Sequence, residues 1–297
     1  MRNVVKPDSI EWWLADVRVF FMETAPSLLP LFDTYSEEAV FGRRFITLDL
    51  ERLQTGARVI EVGAGSLLLS CQLVREGFDV TGLEPTASGF SHFEQMQQMV
   101  LERATALGCR PRVLNLTAED FSEHNRFDYA FSVNVMEHVD DVERVVVNVG
   151  RCLVVGAIYR FTCPNYLFPY EPHFNIPTLF SKRLTEMVLS QKIFSRKDMP
   201  DPLGTWKSLN WISVVQVLRI SKKLSWLRVT FNRLLLVSTL ERISSDREFS
   251  KRRSPAIRKL LILFVRLRLH QLLRFMPATL QPIIDCRLEK ISDSEVY

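Results

Sequence analysis

Arg58-Val59-Ile60-Glu61-Val62-Gly63-Ala64-Gly65-Ser66 is the stretch that decides the fold of this chain. Apolar residues around a single acid run into a Gly-x-Gly turn, and Leu67-Leu68-Leu69 opens the next segment. That pattern predicts a buried parallel strand, a tight turn and the start of a helix. Gly63 and Gly65 lack a Cβ, so the backbone can turn sharply and lie close to a ligand. Glu61 places a negative charge at the carboxyl end of the strand, where open α/β sheets bind their ligands. A dinucleotide fold would want a third glycine at position 68, to pack its helix on the strand; Leu68 stands there instead.

The segments that follow repeat the strand–helix rhythm. A helix over 66–76 ends at Gly77, and Phe78–Pro85 reads as a second strand whose Glu84 lies 21 residues past Gly63. A helix over 87–107 stops at Gly108 and leads into a third strand, 112–116. Strand 127–134, helix 140–153 and strand 157–162 follow. This alternation predicts a doubly wound, mostly parallel sheet of seven strands, with Leu227–Phe231 and Ile283–Ile291 as the sixth and seventh. Ahead of it, helices over 9–24 and 36–54 form an amino-terminal layer, with Pro26 and Pro30 breaking the chain between them. The second of these turns Phe41, Phe45, Leu48 and Leu53 to a core and Arg43, Arg44, Asp49 and Glu51 to water. Trp12, Trp13, Phe20 and Phe21 read as packing residues or as a lid.

Four stretches, in this order and spacing, resemble the class I S-adenosylmethionine-dependent methyltransferases, the branch that includes the ubiquinone-pathway O-methyltransferases. They are Val59–Gly65, Gly82-Leu83-Glu84-Pro85, Ala118-Glu119-Asp120-Phe121 and Phe127–Val139, the last ending in Asn134-Val135-Met136-Glu137-His138-Val139. The resemblance spans roughly residues 50–165 and implies a Rossmann-like methyltransferase fold with S-adenosyl-L-methionine as cofactor. It implies that Glu61 attracts the donor's ammonium while the backbone of Gly63, Ala64 and Gly65 lies against the cofactor. Glu84 would take both ribose hydroxyls with its two acceptor oxygens. Leu83, Pro85 and Ala118 would flank the adenine, with Glu119 or Asp120 at its amino edge and Asn134 at the methionine end. The donor has no pyrophosphate, so the missing third glycine is tolerable. One departure from many relatives is Leu116-Thr117 where Gly-Asp precedes the third motif.

Glu137 and His138 open the next helix or line a substrate pocket. Such a pair resembles a metal-linked one in some quinone methyltransferases, yet two adjacent side chains make no metal site without further ligands, and none is assigned. Four prolines in Pro164–Pro177 forbid a helix and stiffen an extended loop carrying Asn165, Glu171 and His173. If the acceptor is a hydroxyl, His173 is the first candidate for its base and His138 the second.

Charge divides the 297 residues unevenly. Residues 1–203 carry a net −7, whereas residues 204–275 hold 16 Lys and Arg against 3 Asp and Glu. This basic stretch is interleaved with Leu, Ile, Phe and Trp, and its helix 255–276 has an uninterrupted apolar run of only six residues, Leu260–Val265. About 20 are needed to span a bilayer. The pattern fits either a peripheral membrane contact through 204–275 or a helix packed on the core with solvated cations. Residues 206–223 are expected to be one helix. Acids at Asp8, Glu11 and Asp16 leave no signal-peptide core, and five scattered cysteines read as reduced, buried thiols of a cytoplasmic protein.

The domain expectation is an amino-terminal helical lid over 1–54, a methyltransferase core over 55–203, and a basic helical extension with the last strands over 204–297. The expected activity is methylation, on resemblance at an oxygen of a small molecule, a quinone or a lipid-linked glycan. The rivals are a non-catalytic S-adenosylmethionine-binding scaffold and an RNA methyltransferase. Intact Glu61, Gly63, Gly65 and Glu84 count against the first. Nucleic acid as a partner is disfavoured because no Asn/Asp-Pro-Pro-Tyr-type element follows strand four.

Overall fold

A computed structural model describes residues 9–85, 91–179, 181–196, 199, 201–245 and 255–293; of residues 91, 92, 242–245 and 255–258 it describes the backbone alone. Its strands are β1 (Arg58–Val62), β2 (Asp79–Leu83), β3 (Arg112–Leu114), β4 (Phe127–Val133), β5 (Leu153–Pro164), β6 (Leu227–Phe231) and β7 (Ile283–Lys290). They form one seven-stranded sheet in the order β3-β2-β1-β4-β5-β7-β6. β1 runs parallel to both β2 and β4, and β2 runs parallel to β3. The chain moves outward from β1 through β2 to β3, then returns to the other side of β1 with β4. That reversal makes the carboxyl end of β1 a topological switch point, where such sheets open a crevice. Val59, Ile60, Val62, Phe127, Ala130 and Phe131 are buried, as strands covered on both faces require.

The chain separates into two compact units, one of residues 1–133, 144–160 and 289–297, the other of residues 134–143 and 161–288. In the first, α1 (Ile10–Thr24) begins where the Ser9 hydroxyl accepts from the Trp12 amide at 3.3 Å. Trp13 and Phe21 are fully buried, and the Trp13 indole donates to the Leu68 carbonyl at 2.9 Å, at the start of α3 (Leu68–Arg75). Trp13 and Phe21 therefore pack, while Trp12 and Phe20 are half-buried. Pro26 lies in a single 3-10 turn, and Pro30 does not break the chain but sits in the first turn of α2 (Leu29–Leu50). A proline there sacrifices no helical hydrogen bond.

The water-facing assignment of Asp49 is overturned. Asp49 is buried, 2.8 Å from the Arg160 guanidinium of β5 and 3.2 Å from the Tyr129 hydroxyl, while Leu48 is 67% exposed. A buried arginine demands a counter-charge, and that demand sets the roll of α2. The expected beginning of the next helix at 87 lies outside the described residues; α4 is described over Ser91–Ala106. α5 (Val142–Cys152) hands over directly to β5, which starts four residues earlier than expected.

In the second unit α6 (Lys182–Phe194), capped by Ser181, was not anticipated. The single helix expected over 206–223 is two, α7 (Pro202–Ser208) and α8 (Val214–Lys223). Asp201 and Ser213 cap them by accepting from the Gly204 and Gln216 amides, so the break was written in two capping residues. α9 (Leu235–Ser245) follows β6. α10 (Pro255–Arg266) gives way to a 3-10 helix over Leu269–Phe275 at Arg268, whose φ is 59°. Among the described residues no helix is long and apolar enough to cross a membrane.

Removing one member of a buried ion pair strands the other charge, at a cost of about 3–5 kcal/mol, whereas replacing both by apolar groups costs far less. Asp49→Ala should lower the thermal unfolding temperature of the first unit by several degrees, and Asp49→Leu/Arg160→Met should recover much of the loss. Equal losses in the single and double variants would show that the pair does not act as a unit.

Candidate functional site

The turn after β1 is built as the sequence predicts. Gly63 and Gly65 both take positive φ, 69° and 50°, which an L side chain resists. The amides of Gly63 and Ala64 donate to the Leu83 carbonyl at 2.8 and 3.1 Å, fastening the turn to the end of β2. Gly82 permits this approach: a Cβ there would lie 2.6 Å from Leu67 Cδ2 and 3.1 Å from the Ala64 methyl.

Two acids meet at this turn. The Gly65 amide donates to Glu84 Oε2 at 2.9 Å, and the Gln97 amide group donates to the Gly65 carbonyl at 2.9 Å. Glu61 is buried, with the Ser70 hydroxyl donating to its Oε2 at 2.5 Å. Burial above all pushes the Glu61 carboxyl up to about 8, with the Glu84 charge adding to the push and the Ser70 hydroxyl opposing it. Burial likewise raises Glu84, against the Gly65 amide. Glu84 bears on its surroundings: burial, Glu38 and Glu84 hold the Tyr35 phenol up at about 12. Among the described residues no cation is a cause of the shift of either carboxyl, and a cation entering the turn would be favoured. Pro85 closes the described part of this rim and is partly exposed.

Along the same unit, Ala118 is buried and Glu119 partly so, and the Asn148 side chain donates to their carbonyls at 3.1 and 2.7 Å. Asp120 is exposed, bonded to Thr117 at 2.9 Å and to Arg144 at 3.3 Å. Thr117 therefore serves the local turn. Asn134 is an exposed residue of the second unit with φ 54°, its amide donating to the Thr162 carbonyl.

The second unit gathers the other polar candidates. The proline-rich loop closes on itself through a bridge between Glu171 and Ile176, with Asn175 at φ 54°. Glu171, fully buried, accepts from the Phe174 amide (2.6 Å), the His173 amide (3.1 Å), the Tyr166 hydroxyl (3.2 Å) and His173 Nδ1 (2.6 Å). Burial pushes this carboxyl up, but the His173 ring and the two amides outweigh it and hold it below its ordinary value. His173 stands edge-on to His138, ring centres 5.4 Å apart. His138 Nδ1 lies 2.9 Å from Ser208 Oγ, whose own proton goes to the Thr205 carbonyl at 2.9 Å. Burial and His173 push His138 down to about 4, so its ring is neutral at pH 7. Asn210 clamps the turn that carries it, donating from its side chain to the Met136 and Val139 carbonyls at 2.7 Å each and from its amide to the Glu137 carbonyl at 2.8 Å.

The sequence had indicated the histidines and both acids. It gave no sign of Ser70, Gln97, Ser208 or Asn210, ordinary polar residues whose part depends on what they face. Residues 37–178 match the family described as a methyltransferase domain. The chain is 49% identical over 281 residues to the uncharacterized protein Rv1509 of Mycobacterium tuberculosis (strain ATCC 25618 / H37Rv), with 95% of each chain covered. It is 30% identical over 105 residues to a ubiquinone biosynthesis O-methyltransferase of Bradyrhizobium sp. (strain ORS 278), covering 34% of this chain and 36% of that one. The geranyl diphosphate C-methyltransferase of Streptomyces coelicolor A3(2) superposes with a TM-score of 0.49 at 15% identity, covering 86% of this chain and 79% of that one. A methyltransferase domain laid over the switch point of a seven-stranded Rossmann-like sheet places the chain in a family: it belongs to the S-adenosylmethionine-dependent methyltransferases.

Proposed function

We propose that the chain methylates an oxygen of a small molecule, a quinone or a lipid-linked glycan. The donor is held by Glu61, Gly63, Ala64, Gly65 and Glu84, with Pro85, Ala118, Glu119 and Asn134 around it, and the acceptor is served by His173 and His138. The observation that carries the donor half is the cation-poor turn, where two acids sit beside backbone that approaches closely. A sulfonium donor bearing an ammonium and a ribose diol supplies what that turn lacks. The observation that carries the acceptor half is His173, held in one orientation by a fully buried carboxylate at 2.6 Å.

The chemistry asks little of the protein beyond position. The acceptor oxygen forms its bond to the methyl carbon as the carbon–sulfur bond breaks; the electron pair stays on sulfur, leaving a neutral thioether, and the acceptor's proton passes to His173 Nε2. Glu171 stabilises the imidazolium so formed. The limited similarity to a ubiquinone biosynthesis O-methyltransferase favours oxygen over nitrogen or carbon as the atom methylated.

The basic stretch supports a second element of the reading, contact with an anionic membrane surface. Lys259, Arg266, Arg268 and Arg274 are exposed. So are Leu260, Leu263 and Leu267 at 66%, 51% and 58%, with Leu272 and Phe275 at 64% and 67%. A helix with its leucines in water and cations around them suits an interface that buries one and attracts the other. Each cation near anionic headgroups adds about 1 kcal/mol.

Two variants separate the halves of the catalytic reading. Glu84→Ala should weaken S-adenosylmethionine binding in calorimetry by at least about ten-fold, the loss of one or two charge-assisted hydrogen bonds. His173→Ala should leave that affinity nearly unchanged while cutting turnover by at least about ten-fold in a screen of hydroxylated quinones, glycans and lipids. Full donor binding by Glu84→Ala would remove the ribose assignment; full turnover by His173→Ala would return that ring to a structural part. In co-sedimentation, the protein should follow phosphatidylglycerol vesicles at low salt and be released by salt or by changing Lys259, Arg266, Arg268 and Arg274 to Gln. Protein left in the supernatant at low salt would rule out the membrane contact.

A further inference from the structure

The acceptor histidines share a companion that the sequence sets beside His138 and that the fold alone brings to His173. Glu137, at the end of the Asn134–Val139 stretch, is fully buried, and one ligand atom each from Glu137, His138 and His173 lies within 4.8 Å of the other two. We infer that these three side chains form a binding site for a single divalent transition-metal ion of the zinc class.

The hydrogen bonds around the rings fix which nitrogen would face the ion. The Ser208 hydroxyl has its proton on the Thr205 carbonyl, so toward His138 it can only accept, and the His138 proton must be on Nδ1. The ionised Glu171 likewise accepts from Nδ1 of His173. In the neutral form that a metal requires, both rings thus carry their lone pair on Nε2. Ligating histidines usually have this arrangement, the far nitrogen donating to a carboxylate or another oxygen that orients the ring and strengthens it as a ligand. Here both outer partners are already in place.

Charge and donor type agree. Glu137 and Glu171 are both fully buried, and a divalent ion would set positive charge beside them. Two imidazoles and one carboxylate form the three-ligand set of catalytic zinc sites, with a fourth position open to water or substrate. Magnesium and calcium prefer all-oxygen ligands and are disfavoured. Ligand atoms sharing one zinc lie about 3.3 Å apart, so the three, now within 4.8 Å of one another, must draw in by about 1 Å or more.

An ion here would deepen the acceptor reading, on which its catalytic meaning rests. It would hold the acceptor oxygen and make its proton more acidic, and the histidines would then serve as ligands and not as the base itself. Metal binding can be measured with neither donor nor acceptor present, which keeps the two ideas separable.

Tag-free full-length protein, stripped with chelator and dialysed, should bind one Zn2+ per chain in calorimetry. Co2+ in its place should give the visible absorption of a low-coordinate nitrogen and oxygen site. His138→Ala and His173→Ala should each weaken Zn2+ binding by at least about ten-fold. The Gln variants at both positions serve where an Ala variant loses its circular dichroism. Absence of one-to-one binding by the wild type, or unchanged affinity in folded variants of both histidines, overturns the site and leaves His173 as a free base. Loss of donor binding in Glu84→Ala would be seen whichever way the metal result falls.

Discussion

Burying the carboxyl of Glu61 at the end of β1 imposes the constraint to which the donor end of the fold answers. An ionised carboxylate out of water is costly, and the fold reduces that cost in two ways, against the opposing charge of Glu84. The Ser70 hydroxyl donates to Glu61, and the carboxyl keeps its proton up to about 8; Glu84 stands at the other end of the Gly-x-Gly turn with the Gly65 amide on it. Each depends on backbone being close: Gly82 lets the turn sit on β2, and the positive φ of Gly63 and Gly65 aims the amides. What remains is a site that a cation completes. A methyl donor with an ammonium and a sulfonium would be such a cation, and it has no pyrophosphate for a third glycine to serve.

The second unit solves a related problem with different parts. Glu171 is also buried, but four donors keep it charged, so its charge is spent on holding the His173 ring and the loop around it. Asn210 does the corresponding work for the turn bearing Glu137 and His138 by satisfying three backbone carbonyls. The proline-stiffened loop, the clamped turn and the aromatic stack of Tyr166 on Trp211, ring centres 5.2 Å apart, give a rigid polar centre. The Arg160–Asp49 pair shows the same logic inside the first unit, where one buried charge dictates which face of α2 turns inward.

Most of the architecture was legible because it rests on local signals. The strand-turn-helix around Gly63 and Gly65, the alternation of strands with helices, and the caps at Ser9 and Gly77 each follow from a few adjacent residues. The errors lie where a distant partner overrides the local pattern. Asp49 sits on what periodicity marks as a wet face, and only Arg160, 111 residues away, turns it inward. The break between α7 and α8 was masked by an apolar period running through Leu209 and Ile212, although Ser213 was there to be read as a cap. For the sites the division is the same. Gly-x-Gly, Glu84 and the two histidines stand out by residue type, whereas Ser70, Gln97 and Ser208 are recognisable only by what they touch. Glu137, His138 and His173 became a group only when a loop 35 residues farther along the chain folded back beside the first two.

The central claim is that Glu61 faces the cationic end of the methyl donor, and proton release on binding tests it directly. With its carboxyl held at about 8, free Glu61 carries a proton at pH 7. An ammonium beside it favours the ionised form, so the shift on binding is downward and the proton must leave. Calorimetric titration with S-adenosylmethionine at pH 7, in two buffers of different ionisation enthalpy, should report close to one proton released per donor bound, and almost none for Glu61→Gln. Binding heats independent of the buffer in the wild type would contradict the account.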